Sequence, residues 1–281
     1  MENIIAYYYN LNPEKYKENG DVIIIESHGE LYIARIIKDK DVFTKIVSSI
    51  NSSFFYKPIL NRTNGYFFEY NNQTYALFKA INPAVPRYDD FIIIESIEST
   101  EINYSSIWEH NIEYFIKQLT SLDFSNTEEI TNINYYIGLA ENAITMNELA
   151  NKLTINARKC LSHYRIKYPN YNLTYNDPTE LLIDYISRDI AEYTKSKFFL
   201  EGMSVEEFMK LINKYKLNDK ELLYVFARLL YPNYYFDLLS EKNTDKQQKI
   251  IEKRKKYEKF LSNIFEQIKT TTLYVNISWL K

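Results

Sequence analysis

The chain has 281 residues, enough to bury a sizeable core as one large domain or two lobes without covalent staples. Its 34 basic and 37 acidic residues give a formal net charge of −3, so no general positive field draws it to nucleic acid or anionic lipid. A single cysteine, Cys160, excludes an internal disulfide and a cysteine zinc cage, and His28, His110 and His163 lack the i, i+4 spacing of a helical metal site.

The opening MENIIAYYYNLNPEK reads as a short helix, with neither the basic start nor the apolar core of an export signal. No later run approaches the roughly 18 apolar residues of a membrane span. A soluble, cytoplasmic protein with no membrane or nucleic-acid partner is therefore expected. VIIIE (22–26) and LYIARII (31–37) are β-branched runs flanking SHGE, which predicts a hairpin. DVFTKIVSSI (41–50) places apolar residues at 42, 43, 46, 47 and 50, the spacing of one helix face. YFFEY (66–70) and TYALFKA (74–80) straddle NNQ and predict a second hairpin. Residues 1–81 thus read as a small sheet with a helix. Pro83 and Pro86 then break regular hydrogen bonding, so 82–90 is the expected interlobe hinge.

From 91 to 281 the pattern is mainly helical. Helices are expected at about 105–120 and 134–152, after capping boxes at Ser204/Glu207 and Asn218/Glu221, and at about 244–270. The last carries Ile250, Ile251, Tyr257, Phe260, Leu261, Ile264, Phe265 and Ile268 on one stripe, with the KIIEKRKKYEKF charges as its solvated face. Between these helices lies one β-like stretch, from CLSHYRI to NDPTELLIDY. The 27 tyrosines fit core and half-buried surface better than a stacking platform. Five glycines, none close together, cannot form a phosphate-cradling loop.

Three stretches, YYIGLAENAI (135–144), LSHYRIKYPN (161–170) and DPTELLIDYISRDIAEY (177–193), followed by LLYPNYYFDLL, resemble the kinase-like spore coat proteins of Firmicutes, in particular the YutH-type branch of the coat protein S relatives. The resemblance runs from about residue 10 to the end. It implies an α+β, two-lobed, protein-kinase-like fold of the aminoglycoside phosphotransferase kind, with a small antiparallel-sheet N-lobe and a mainly helical C-lobe. It also implies a place in the spore coat and other coat proteins as partners.

Active relatives carry H-x-D-x-x-x-x-N in the catalytic loop. His163 and Asn170 match its ends, but Arg165 stands where the Asp belongs. By the same resemblance Asp184 falls at the metal-binding carboxylate, and Asp189 at the carboxylate that opens the next helix and braces the loop. Only five positions (189 − 184) separate these two, so the intervening loop is abbreviated. Arg35 is the nearest analogue of the strand lysine that holds nucleotide phosphates, with Lys38 and Lys79 as rivals; all three also read simply as surface charges. Likewise His163 reads as a hydrogen-bonded core histidine and Asn170 as a turn residue after Pro169. Asp184 must find partners, because it ends an apolar run. Glu141 and Asn142 lie beside a small-residue helix face, with no role derivable from the sequence.

A guanidinium offers no acceptor and stays protonated, so Arg165 cannot serve as base. The expectation is a pseudokinase without cofactor, in which Arg165 pairs with Asp184 in place of metal. The alternative is an atypical small-molecule phosphotransferase that uses ATP, with magnesium on Asp184 and Asn170.

Overall fold

In the computed structural model the described residues are 2–19, 22–50, 55–80, 102–119, 127–166 and 176–269. They divide into two compact units: the first holds the described residues up to 80 with 163–165 and 176–183, the second the remainder. The hinge expected at 82–90 lies outside the described residues.

The first unit is a twisted antiparallel sheet with a helix on each face. Helix α1 (Glu2–Tyr9) leads to strands β1 (Lys15–Asn19), β2 (Val22–Ser27) and β3 (Glu30–Ile36), then helix α2 (Lys40–Ser49) and strands β4 (Lys57–Pro58), β5 (Phe67–Tyr70) and β6 (Gln73–Lys79). The order is β1-β2-β3-β6-β4, with β5 also paired to β6. Both expected hairpins close through two-residue turns with positive φ, His28 (53°) and Gly29 (73°) in one, Asn71 (49°) and Asn72 (59°) in the other. Turns of this hand match the strand twist, and glycine and asparagine tolerate them best. Strand β1 was not foreseen, because KYKEN carries one apolar residue among charges. That composition suits an edge, where lysine discourages pairing with another chain.

Alternation of side chains across the strands sets the two faces. Ile23, Ile25, Tyr32, Ala34, Tyr75 and Leu77 pack with Ile5 and Tyr9 of α1. Ile33, Ala76 and Phe78 pack with Phe43 and Val47 of α2. Arg35, two residues beyond Ile33, belongs by parity to the α2 face. Helix α2 begins one residue before the expected start, where Asp39 accepts hydrogen bonds from the Asp41 and Val42 N–H groups.

The second unit is mainly helical. It contains α3 (Tyr104–Leu119), α4 (Thr127–Asn151), α5 (Ser187–Leu200), α6 (Val205–Tyr215), α7 (Asp219–Leu230), α8 (Asn233–Ser240) and α9 (Thr244–Lys269). Strands β7 (Lys159–His163) and β8 (Leu181–Tyr185) form a separate two-stranded sheet. Helix α7 packs against α4, α5 and α9. Its Val225, Phe226, Ala227, Leu229 and Leu230 are fully buried. Both capping boxes form as the sequence indicates, at α6 and α7. Many tyrosines are core: Tyr136 stacks on Tyr235 with ring centroids 3.8 Å apart, and Trp108 stacks on Tyr231 at 4.5 Å. Helix α4 starts seven residues before the expected 134, because TEEITNI offers β-branched residues and polar ones in place of a clear apolar stripe.

Candidate functional site

In the first unit, Arg35 leaves strand β3 and meets residues from far along the chain. Its Nε lies 2.8 Å from Asp177 Oδ2, and its Nη2 pairs with Glu180 Oε1. Asp177 is held by the Thr179 N–H at 2.9 Å and the Thr179 hydroxyl at 2.7 Å, which cap the short turn Pro178–Glu180. The Asp177 carboxyl is displaced upward by burial, and the Arg35 charge offsets this only in part. With its side chain 14% exposed, Arg35 is no surface charge. The cation that the resemblance assigns to nucleotide phosphates is engaged by two of the protein's own carboxylates.

The rivals stand elsewhere. Lys79 pairs with Glu30 at 2.5 Å on the surface, and Lys38 is exposed just beyond β3. A cavity of about 390 Å³ opens within this unit, walled by Val42 and Ile46 of α2 and by Leu181 and Leu182, with Arg35 and Glu180 among its polar lining. His163, the last residue of β7, is buried. Arg165 donates to the carbonyl of Tyr164 at 3.1 Å and stacks over the Tyr164 ring at 5.1 Å. Asn170 lies outside the described residues.

In the second unit, Asp184 is fully buried near the end of β8. A carboxylate taken out of water demands charge-assisted partners. It has them: Oδ1 accepts the Tyr185 N–H at 2.5 Å, while Oδ2 accepts Arg188 Nη1 at 2.7 Å and Arg228 Nη2 at 2.9 Å. Among the described residues its cationic partners are these two and not the expected Arg165: Arg188 reaches it from the first turn of α5 and Arg228 from the last turn of α7. The Arg228 guanidinium also lies 4.1 Å over the Tyr104 ring. Burial opposes the Arg188 charge, but Asp184 and Glu192 outweigh it and raise its pKa. The Tyr104 phenol is pushed up by burial, with Asp184 adding to the effect. The polar chain continues along α5, where Glu192 pairs with Lys195 at 3.0 Å and accepts both hydrogen bonds of the Asn233 amide at 2.9 and 3.0 Å.

Neither Arg188 nor Arg228 was singled out in the sequence, although a lone arginine inside LLYVFARLL must find a counter-charge. Asp189, expected to open the next helix, is the third residue of α5, which begins at Ser187. The strand needs no long link to the helix: Ile186 alone separates β8 from α5. Asp189 is buried in the first helical turn, where the helix dipole favours a carboxylate. Asn142 bonds back to the carbonyl of Gly138 on its own helix at 2.8 Å, and Glu141 is exposed.

Among the described residues, the surroundings of Asp184 oppose a nucleotide-bound magnesium. A metal at Asp184 would sit beside two guanidiniums already bonded to the same oxygen, and like charges at that range repel strongly in a buried setting. Among the described residues no group of three or more His, Cys, Asp or Glu side chains is arranged to hold a metal ion. No helix of the described residues is long and apolar enough to cross a membrane.

Comparison with known proteins gives likenesses of three kinds: to a family, to a curated relative and to solved structures. The profile of the family described as "Spore coat putative kinase YutH" matches residues 97–276. Endospore coat-associated protein YutH of Bacillus subtilis (strain 168) is 28% identical over 176 residues, which cover 54% of this chain and 51% of that protein; the chain thus spans about half the length of this curated relative. Among solved structures, an aminoglycoside phosphotransferase from Alicyclobacillus acidocaldarius superposes with a TM-score of 0.65 at 11% identity, covering 96% of each chain. A spectinomycin phosphotransferase complex with ADP and spectinomycin superposes at 0.58 and 13% identity, again over 96% of each. At such identities the structural likeness establishes the fold, an antiparallel-sheet N-terminal part followed by a mainly helical remainder.

Proposed function

Because the chain belongs to the YutH family of spore coat kinase-like proteins, we propose that it is a catalytically disarmed phosphotransferase, a pseudokinase that serves as a binding scaffold in spore coat assembly. The observation that carries this reading is the closure of Asp184 by Arg188 and Arg228. The carboxylate in the metal-binding position is balanced by the protein's own cations. Arg165 supports it independently: a positioned base contributes about 10² to 10⁴ in rate, and arginine cannot accept the proton. Arg35 is engaged by Asp177 and Glu180, so a phosphate would have to displace a carboxylate to reach it. What remains is a folded surface, and the coat association of the relative makes coat proteins the natural partners.

The second reading is an atypical small-molecule phosphotransferase using ATP and magnesium. It is favoured by the fold shared with aminoglycoside phosphotransferases and by the presence of Asp184 on β8. Thermal unfolding with and without millimolar ATP and magnesium separates the two. A ligand at a hundred times its Kd stabilises the folded state by about 2.7 kcal/mol. The scaffold reading expects no shift; a magnesium-dependent rise in Tm that Asp184→Asn removes would replace it with the second.

A further inference from the structure

We infer that the cavity beside Arg35 is a binding site for a small monoanion with an apolar body, whose acid group takes the place of Glu180 on the guanidinium. The volume, about 390 Å³, falls in the range of small-molecule sites, and the wall is mixed, with apolar side chains such as Val42, Ile46, Leu181 and Leu182 beside charged ones. Val42, on the cavity side of α2, is 42% exposed, so one wall is apolar surface left open to water.

The charge count gives the ligand its sign. Arg35 carries two carboxylates, one more than it needs for neutrality. They are not equivalent: the Asp177 side chain is 3% exposed and tied to Thr179 by two hydrogen bonds, whereas that of Glu180 is 29% exposed and lines the cavity. An entering carboxylate or sulfonate that exchanges with Glu180 leaves the charge at Arg35 unchanged and returns Glu180 to water, where its ionised form is best solvated. Lys38, exposed and also in the lining, has no ion pair among the described residues and supplies a cation for the displaced glutamate or for the ligand. This inference is independent of whether the protein transfers phosphate.

The test uses the full chain and the fluorescent anion 8-anilinonaphthalene-1-sulfonate, read as a titration of its emission. Glu180→Gln removes the internal competitor and is expected to tighten binding at least tenfold. Lys38→Glu is expected to weaken it about tenfold, and Val42→Trp, which fills the space from an exposed position, to abolish the saturable signal. Circular dichroism confirms that each variant is folded, and magnesium-ATP is expected to leave the isotherm unchanged. Identical isotherms for wild type, Glu180→Gln and Val42→Trp, no saturable binding by wild type and Glu180→Gln alike, or displacement by magnesium-ATP would each overturn the inference.

Discussion

Replacing Asp184 by alanine distinguishes a structural ion pair from an idle metal ligand. In the structure the Asp184 side chain is fully buried, and the side chains of Arg188 and Arg228 are only 9% and 7% exposed. Removing the carboxylate leaves two guanidiniums in the interior without their common counter-ion. Breaking one buried pair in this way costs about 3–5 kcal/mol, and two cations place the variant at the upper end. For a folded unit of this size, each kcal/mol lowers Tm by about 2–4 °C, so a fall of roughly 10–20 °C is expected. Urea unfolding followed by far-UV circular dichroism gives the free energy, and Asp184→Asn and Arg228→Met, singly and together, give the coupling. If the clamp is real, the double variant loses less than the sum of the two single losses. A carboxylate poised for a metal behaves in the opposite way, since its removal relieves rather than creates an unpaired charge. An Asp184→Ala variant within about 0.5 kcal/mol of wild type, the range of an ordinary surface substitution, would refute the reasoning.

Other expectations follow from the same geometry. Arg158, 40% exposed, grips the fully buried Glu221 with Nε and Nη2, both at 2.8 Å; because water reaches the arginine side, Arg158→Ala should cost about 1–2 kcal/mol by urea unfolding, less than a fully buried pair. Asn218→Ala, which removes half of the capping box of α7, should cost about 1 kcal/mol in the same assay. Gly29→Ala meets no atom within 4 Å, so only the cost of a side chain at φ +73°, about 1 kcal/mol, is expected. Burial pushes Tyr235 up to about 12, and Tyr32, helped by Glu30, also to about 12. Their neutral forms are favoured in the folded state, so the stability they confer is complete below the ordinary phenol pKa of about 10 and lost as pH rises toward 12. Absorbance at 295 nm and circular dichroism should therefore show tyrosine ionisation and unfolding together across that window.

The elements that the sequence made legible are those with a local cause. The two hairpins declared themselves through turn residues between β-branched runs, and α6 and α7 through serine or asparagine three positions before glutamate. Strand β1 and the first turns of α4 were hidden, since the edge position of one and the tertiary packing of the other leave little apolar pattern. At the site the contrast is sharper. Asp184 could be found as a carboxylate closing an apolar run, but its partners could not: Arg188 looks like an ordinary surface charge in ISRDIAEY, and Arg228 stands 44 positions away. Arg35 was identifiable as a strand cation, yet Asp177 and Glu180, more than 140 residues later, decide what it does. Long-range charge pairing leaves only a demand in the sequence, a buried charge needing a partner, and not the partner's address.

The most direct test of the proposed loss of metal binding at Asp184 uses manganese as a paramagnetic stand-in for magnesium. With ATP present, electron paramagnetic resonance of the wild-type protein should show only the spectrum of the free manganese-nucleotide complex, whatever the protein concentration. A protein-bound manganese signal that saturates with protein and disappears in Asp184→Asn would contradict the account.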